Sequence, residues 1–284
     1  MANKVNVYSN LKFQTWRITG SLLSCASSSQ DVLFKTTTLA NLAKKGINAM
    51  VSKRITGEPL HWLFKDTIVK VDFRGLTYYF HCPKWHDFNV YLNPYYPECD
   101  VVSFVFDVLQ EGDVFIDVGA HGGLYTLLSG KIIGSEGRAI AIEPNPDNLK
   151  FLRQNVKLNQ LNNVTVIQKA ASDEKLKINL HYETKKTALT STMIGASKTV
   201  EVETTLIDEV TEKYDSIKLL KIDTEGYDLK VLKGAKYTLQ KTHYLVVEQN
   251  TAPVKALLSK LDFSLDSLVP SGYLIATNKN ATLA

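Results

Sequence analysis

The sequence predicts an α/β protein built around a parallel, nucleotide-binding sheet, and three consecutive features predict it. Residues 114–118 form an apolar, β-branched run, typical of a strand that is buried on both faces. A glycine loop at residues 119–123 leads into residues 124–133, where apolar residues recur at helical spacing. A second buried-strand run, residues 139–142, ends on Glu143. In sheets of this kind the ligand binds beyond the carboxyl ends of the strands.

Two segments precede this sheet. Residues 1–66 are predicted to be an N-terminal extension with a polar, loosely ordered start and then a helix over residues 33–55. The apolar face of that helix is expected to pack on the main domain or on a second subunit. Residues 67–112 follow as a β-hairpin at 68–80, an aromatic-rich segment at 83–97 and an amphipathic helix at 101–109. The aromatic segment suits either a lip that binds a sugar or a base, or a layer that caps the sheet.

Residues 113–284 are predicted to be the main, ligand-binding domain. After Glu143 the hydrophobic period predicts a helix at 147–159, strands at 164–168 and 176–182, a polar loop at 185–197, strands at 200–206 and 217–222, a helix at 227–233 closed by Gly234, a strand at 245–247, a helix at 255–262 and a strand at 273–277. Strands and helices alternate through most of this region, as a parallel sheet requires.

The glycine loop indicates the kind of ligand. A dinucleotide fingerprint needs glycines two and five positions after the first, where this chain has His121 and Leu124. The loop instead suits a ligand with a carboxylate, an ammonium group and no phosphate, and S-adenosylmethionine is the predicted cofactor. His is one of the few non-glycine residues that tolerate positive φ, so the loop can keep its shape. The predicted cofactor-binding residues are Asp117, Gly119, Ala120, His121, Gly123, Glu143, Ser172 and Asp173.

Glu143 and Ser172-Asp173 have separate predicted roles within this set. An acid at the end of the second strand can accept hydrogen bonds from both ribose hydroxyls of an adenosine. Ser172 and Asp173 follow the third strand, where an acid or a hydroxyl can bond the adenine amino group. The alternative for the whole region is a tight strand-to-helix turn that binds no ligand.

A second pair of acids follows the strand at residues 217–222. Asp223 and Glu225 are predicted to lie on the same rim as Gly119 and Glu143, and to act as catalytic residues that take or orient the proton of an acceptor hydroxyl. Two acids at a helix N-terminus can also only cap free backbone amides. Metal binding by these two acids together with Glu248 is a further alternative, but no metal site is predicted.

Composition limits the class of protein and its expected location. The content of hydrophobic residues, 44%, is ordinary for a globular protein, and no apolar run reaches the length that crosses a bilayer. Three widely spaced cysteines predict reduced thiols and a cytoplasmic location. Residues 1–100 hold 12 Lys/Arg against 7 Asp/Glu. This basic excess suits either an anionic surface, such as a membrane face or a phosphorylated lipid carrier, or an ordinary solvated surface.

Four motifs together resemble the FkbM-type methyltransferases. They are residues 113–123 (Asp-Val-Phe-Ile-Asp-Val-Gly-Ala-His-Gly-Gly), 143–146 (Glu-Pro-Asn-Pro), 205–209 (Thr-Leu-Ile-Asp-Glu) and 221–229 (Lys-Ile-Asp-Thr-Glu-Gly-Tyr-Asp-Leu), the last continued by 231–235 (Val-Leu-Lys-Gly-Ala). The resemblance covers residues 90–278. It implies a class I methyltransferase Rossmann-like fold with a seven-stranded, mostly parallel sheet and helices on both faces. It also implies S-adenosylmethionine as methyl donor and O-methylation of a sugar or a related hydroxyl.

The chain departs from the family pattern at two places. His121 stands where the family usually has Asn, and residues 205–208 carry one residue more than the common Thr-Leu-Asp. The expected acceptor is a hydroxyl-bearing carbohydrate or glycolipid. Two alternatives stay open: an RNA or protein methyltransferase, although the modest net charge of +4 gives no strong nucleic-acid signal, and a non-catalytic module that binds an adenosyl ligand. The oligomeric state is open as well.

Overall fold

A computed structural model of the chain describes residues 5–9, 14–18, 67–73, 76–82, 98–183, 186–190, 198–268 and 271–281. The predicted helix at 33–55 and the aromatic-rich segment at 83–97 lie outside the described residues. The chain divides into two compact units, Met1–Cys99 and Asp100–Ala284.

The first unit contains an antiparallel sheet. Its strands are β1 (Val5–Ser9), β2 (Gln14–Ile18), β3 (Thr67–Phe73) and β4 (Leu76–Cys82), in the order β2-β1-β3-β4. The predicted hairpin is present as β3 and β4. The prediction of a loosely ordered start was wrong for residues 5–9 and 14–18, because alternating β-branched residues such as Val5 and Val7 pair β1 with both β2 and β3.

The rest of the described chain supplies eleven strands and seven helices. The strands are β5 (Val114–Val118), β6 (Arg138–Ile142), β7 (Val164–Ile167), β8 (Ala170–Ala171), β9 (Lys177–Glu183), β10 (Lys186–Thr190), β11 (Lys198–Thr205), β12 (Ile217–Ile222), β13 (Thr242–Val247), β14 (Phe263–Leu268) and β15 (Leu274–Asn278). The helices are α1 (Cys99–Val108), α2 (Leu124–Ile132), α3 (Pro146–Leu158), α4 (Ile207–Thr211), α5 (Asp228–Lys233), α6 (Lys236–Gln240) and α7 (Ala252–Lys260). No helix among them is long and apolar enough to cross a membrane.

Seven of these strands form the central sheet, in the order β14-β15-β13-β12-β5-β6-β7. The five strands from β13 to β7 run parallel, and β15 is antiparallel to both of its neighbours. Helices α5, α6 and α7 cover one face through a large apolar core, whereas Leu152 of α3 packs against Ala141 on the other face. This architecture confirms the predicted α/β fold with a seven-stranded, mostly parallel sheet and helices on both faces.

A second, smaller sheet has the order β10-β9-β11-β8 and a core of Leu180, Tyr182 and Val202. The loop predicted at residues 185–197 was wrong in part, because residues 186–190 pair with β9 as a strand. Its β-branched threonines suit a strand despite their polarity. Strand β14 and helices α4 and α6 were also missed, since each is too short or too irregular to show a clear period.

Two local signals explain how the helices beside the site begin and end. Asn145 caps α3, where its side chain accepts the backbone N–H groups of Asp147 and Asn148, and Pro146 occupies the first helical position. Gly234 ends α5 as predicted, but its φ of −85° is not left-handed. A glycine is needed there because a Cβ would lie 2.0 Å from the carbonyl oxygen of Ser172.

Candidate active site

The carboxyl ends of four neighbouring strands meet at one rim of the central sheet. Backbone hydrogen bonds join the residues that leave these strands: Gly119 donates to Ile142 at 2.9 Å, Asp223 to Val118 at 3.0 Å and Glu248 to Ile222 at 3.0 Å. Parallel strands place their carboxyl ends on the same side, so the acids that follow them share this rim. The structure therefore brings the predicted glycine loop, Glu143 and Asp223 together.

The glycine loop has the left-handed backbone that its sequence predicts. Gly119, His121 and Gly123 have φ values of +80°, 49° and +96°. A Cβ on Gly119 would lie only 1.8 Å from the carbonyl oxygen of Asp223, and one on Gly123 would lie 2.7 Å from Leu152 Cδ1. Glycine is therefore required at position 119 by contact with backbone, whereas at position 123 the left-handed φ favours glycine and the Leu152 side chain could move.

Glu143 is a buried acid whose carboxylate receives three hydrogen bonds. Its Oε2 accepts the backbone N–H of His121 at 2.8 Å, and its Oε1 accepts the backbone N–H of Asn145 at 2.9 Å and the Asn148 side chain at 3.3 Å. Burial raises the pKa of Glu143 to about 7, against the opposing effect of these bonds. A carboxylate offers about four acceptor positions, so these three hydrogen bonds do not use all of them, and the ribose contact stays a prediction.

Asp117 presents a carboxylate oxygen that lacks a partner. The side chain is 1% exposed, and its Oδ2 accepts the Thr126 hydroxyl at 2.6 Å. Its buried Oδ1 has no hydrogen-bond partner among the described residues. Burial raises the pKa of Asp117, while the positive charge of Lys221 opposes that rise. A buried acceptor without a donor is costly, and the ammonium group of a bound cofactor would supply the missing donor. The residues present therefore fit the predicted cofactor.

Ser172 and Asp173 follow β8, just beyond the end of β7. The Ser172 backbone N–H donates to Thr205 at 2.9 Å, and its hydroxyl donates to Asp173 Oδ1 at 3.2 Å. Ser172 is thus held in place by β11, and its side chain is already paired. Their assignment to the adenine ring stays a prediction, as do the other predicted cofactor contacts, including that of Ala120.

Asp223 is held by a set of donors that converge on one oxygen. Its Oδ2 accepts Lys221 Nζ at 2.8 Å and the Tyr273 hydroxyl at 2.7 Å. Burial alone would raise the pKa of Asp223. The charge of Lys221 and the converging hydrogen bonds, including one from the Glu248 carboxyl, outweigh burial and hold that pKa below its ordinary value.

Glu225 is a different kind of acid. It is half-buried and has a φ of 51°, an unusual backbone conformation for a residue of this type. Its pKa is raised to about 7 by burial, and further by the negative charges of Asp223 and Asp228. Burial and the same two aspartates raise the pKa of Glu248 to about 8, so this side chain is mostly protonated at neutral pH.

The alternative that Asp223 and Glu225 serve only as caps is not supported by the hydrogen bonds of this loop. The Thr224 backbone N–H donates to Asp228 at 3.0 Å, and that of Glu225 donates to Glu248 at 3.2 Å. Asp228 also accepts the backbone N–H of Gln249 at 2.8 Å. The backbone amides of Thr224 and Glu225 are thus bound by Asp228 and Glu248 rather than by Asp223 and Glu225.

Sequence reasoning missed Asp228, Lys221 and Tyr273 as parts of this rim. Lys221 carried a usable signal, because a lysine inside a buried, apolar strand demands a nearby carboxylate. Tyr273 carried none, since its partner Asp223 lies 50 residues away in sequence, and the Asp228 bond to Gln249 spans 21 residues. Among the described residues, no group of three His, Cys, Asp or Glu is placed to hold a metal ion.

Comparison with known proteins identifies the family of this chain. The model of the methyltransferase FkbM domain matches residues 117–266, which is more than half of the chain. The hexuronic acid methyltransferase AglP of Haloferax volcanii is 28% identical over 154 residues, covering 53% of this chain and 62% of AglP. A crystal structure of an FkbM methyltransferase from Methylobacillus flagellatus is 16% identical, with a TM-score of 0.41, and covers 64% of this chain and 53% of that one. The chain spans less than two thirds of the length of each curated relative that it matches.

Proposed function

Because the chain belongs to the FkbM methyltransferase family, whose methyl donor is S-adenosylmethionine, we propose that it methylates a hydroxyl group of a sugar, a glycan or a glycolipid. The juxtaposition of a cofactor site with a half-buried, titratable acid on one rim is the observation that supports this function best. The name of the AglP relative, which acts on a hexuronic acid, favours a carbohydrate acceptor.

In this proposal the cofactor is held by buried acids and by the loop backbone. Asp117 Oδ1 accepts the ammonium group, Glu143 accepts a ribose hydroxyl, and Ser172 with Asp173 borders the adenine. When bound, S-adenosylmethionine supplies a methyl group, whose carbon–sulfur bond breaks as the acceptor oxygen–carbon bond forms, leaving neutral S-adenosylhomocysteine. The protein must align the acceptor oxygen with that carbon, and alignment alone can contribute several kcal/mol, roughly 7–11 in well-oriented systems.

Glu225 is the better candidate of the two predicted catalytic acids for the general base. An alkyl hydroxyl needs help to lose its proton, and a base works best when its pKa lies near the working pH. Glu225 meets this condition with a pKa of about 7, whereas Asp223 has a lowered pKa and is engaged by Lys221 and Tyr273. We assign proton removal to Glu225 and orientation of the acceptor hydroxyl to Asp223.

The test is a transfer assay with an isotope-labelled donor. The protein and labelled S-adenosylmethionine are incubated with one fraction of a cell extract at a time: glycan, glycolipid, RNA or protein. Label in the glycan or glycolipid fraction is the expected result. Label in RNA or protein alone would identify the rival enzyme class. Tight binding of S-adenosylhomocysteine with no labelled fraction would identify a non-catalytic module.

The base assignment has its own variants. Glu225→Gln should lower kcat by about 10²-fold or more, because general-base catalysis contributes roughly 10²–10⁴-fold. Asp223→Asn should lower kcat as well, with S-adenosylhomocysteine still bound in calorimetry. Glu212→Gln, an exposed acid away from the rim, is the matched control. A Glu225→Gln variant with the parent kcat would remove the base assignment without touching the methyltransferase class.

A further inference from the structure

Lys221 is a fully buried lysine next to the proposed site. It lies in β12 among apolar residues and is 1% exposed. In the sheet register it is paired with Asp117 of β5, so the two side chains point to the same face. Lys221 thus stands between the acid assigned to the cofactor and Asp223, the acid assigned to the acceptor.

Two aromatic rings complete the surroundings of the ammonium group. Lys221 Nζ lies 4.6 Å from the ring centre of Tyr125 and 5.6 Å from that of Tyr273. The Tyr273 hydroxyl donates to the same Asp223 oxygen that accepts Lys221. The cation is therefore contacted by an ion pair and by two aromatic rings.

Stability alone is a poor reason for such an arrangement. Removing two charges from water costs several kcal/mol for each ion, on the order of the attraction that the pair regains, and apolar residues of similar volume often do as well or better. Leu219, two positions earlier and on the same face of β12, is fully buried and shows that apolar side chains suit this face. A buried cation at the carboxyl end of this strand therefore points to a role in the site.

We propose that Lys221 is a positioning residue for methyl transfer, whose ammonium group fixes Asp223 as an anion on the rim and links it to Asp117 at the cofactor site. This inference rests on the proposed function for its catalytic consequence. Lys221 acts through Asp223 and needs no contact with the acceptor. Asp223 in turn accepts a hydrogen bond from the Glu248 carboxyl, and Glu248 accepts the Glu225 backbone N–H at 3.2 Å. The position of the proposed base thus depends on the same ion pair.

Removal of the cation should disturb every titratable group that faces it. These groups are Asp117 from β5, Tyr125 from α2, Asp223 from the end of β12 and Tyr273 from the segment before β15, with Glu248, Glu225 and Asp228 reached through Asp223. A nearby positive charge favours ionised carboxylates, so its loss raises their pKa values. Asp223 should show the largest change because it touches the ammonium group directly.

The test compares Lys221→Met with Lys218→Met. Lys218 lies in the same strand and beside a tyrosine ring, 5.7 Å from that of Tyr244, but near the amino end of β12. Carbon-13 NMR of the side-chain carboxyls, with the Asp223 signal assigned through Asp223→Asn, follows the titration without any turnover. We expect the Asp223 midpoint to rise by about one pH unit or more in Lys221→Met, as loss of a close opposite charge does, and to stay unchanged in Lys218→Met.

Turnover supplies the second measurement. Lys221→Met should bind S-adenosylhomocysteine within about threefold of the parent, while kcat at neutral pH falls about tenfold and the acid limb of its pH profile moves upward by about one unit. Lys221→Arg should restore the position of that limb because it keeps the charge. Tyr273→Phe, which removes only one hydroxyl, should shift the Asp223 midpoint in the same direction by a smaller amount and guards against misfolding of the lysine variant.

The two hypotheses fail in different ways. An unchanged Asp223 midpoint in a folded Lys221→Met variant would overturn the positioning role, whatever the activity. A raised midpoint in a parent protein that methylates no fraction would leave the electrostatic link in place and refute the proposed function instead. A raised midpoint with unchanged kcat and pH profile would show that the ion pair is structural only.

Discussion

At the scale of single residues, the rim depends on backbone conformations that few side chains tolerate. Gly119, His121 and Glu225 all have positive φ, and they belong to the two loops that meet at the ends of β5 and β12. Non-glycine residues in this region cost about 1–3 kcal/mol each and persist where the surrounding structure holds them. The shape of the site therefore depends on the backbone conformation of these two loops as well as on their side chains.

Gly119→Ala should destabilise the protein more than the loss of glycine freedom explains. Its Cβ would lie 1.8 Å from the Asp223 carbonyl oxygen, so backbone must move, and we expect a loss of more than about 3 kcal/mol in the free energy of unfolding. Gly112→Ala is the matched control, since its φ is +88° but nothing lies within 4 Å of the added Cβ. It should cost only about 1–2 kcal/mol. Urea titration of both variants measures the difference, and equal losses would contradict the clash.

Glu143 should make cofactor affinity depend on pH. Its pKa is about 7 in the ligand-free protein, and a ribose hydroxyl donates to the ionised form, so binding competes with protonation. Affinity should be full above pH 7 and fall as the pH drops, approaching about tenfold per unit well below 7. Calorimetry with S-adenosylhomocysteine between pH 5.5 and 8.5 would measure this. Glu143→Gln should bind more weakly and without that slope, and a parent protein with no slope would contradict the assignment.

The same pKa has a consequence for stability with the opposite sign. The folded-state pKa of Glu143 is raised above its ordinary value of 4.5, so the folded protein binds this proton more tightly than the unfolded chain does. The stability that protonated Glu143 contributes to the folded protein is fully present below pH 4.5 and is lost as the pH rises through about 7. The ionised form that is proposed to bind the ribose is therefore the form that burial disfavours in the folded protein.

At the scale of elements, the short helices α4 and α6 are joined to each other by hydrogen bonds from a side chain. Helices α4 and α6 each have five residues, too few to be stable alone. Asp208 of α4 joins them, since its Oδ1 accepts both the backbone N–H and the hydroxyl of Thr238 at 2.7 Å. Gly234, between them, rests against Ser172 and so connects this helix pair to the loop beside the cofactor site.

Asp208→Ala should therefore lower stability by about 1–3 kcal/mol, because it leaves the backbone N–H of Thr238 without its acceptor. Glu209→Ala, at the next position, removes an exposed ion pair with Lys175 and should change stability by less than about 0.5 kcal/mol. Thermal or urea unfolding of the two variants is the measurement. A loss in Glu209→Ala as large as that in Asp208→Ala would show that Asp208 does not join the helices.

At the scale of the whole molecule, the proposed cofactor and base residues all lie in the second compact unit, Asp100–Ala284. This unit also holds the central sheet and its large apolar core. The first 100 residues carry the basic excess of the chain, 12 Lys/Arg against 7 Asp/Glu. Cofactor binding is thus expected of the second unit alone.

A fragment of residues 98–284 should fold and bind S-adenosylhomocysteine within about threefold of the full chain, because a domain with its own core can fold alone. Calorimetry with S-adenosylhomocysteine tests this expectation. A fragment that unfolds without cooperativity would show that the unit does not stand alone.

The sequence by itself was enough for the fold class, the order of the main elements and the place of the rim. Buried-strand runs at residues 114–118 and 217–222, a glycine loop and acids at strand ends carry this information locally, because period and turn chemistry act over a few residues. The same signals predicted the family, the cofactor and the left-handed conformation of His121.

Only the tertiary structure decided how those acids differ. Asp223 is held ionised by Lys221 and Tyr273, whereas Glu225 has a pKa of about 7 through burial and neighbouring charge. Strand β10 and the short helices α4 and α6 likewise depend on partners that the local pattern does not contain. The physical reason is shared: protonation and the stability of short elements are set by groups that are distant in sequence, and these become neighbours only when the sheet assembles.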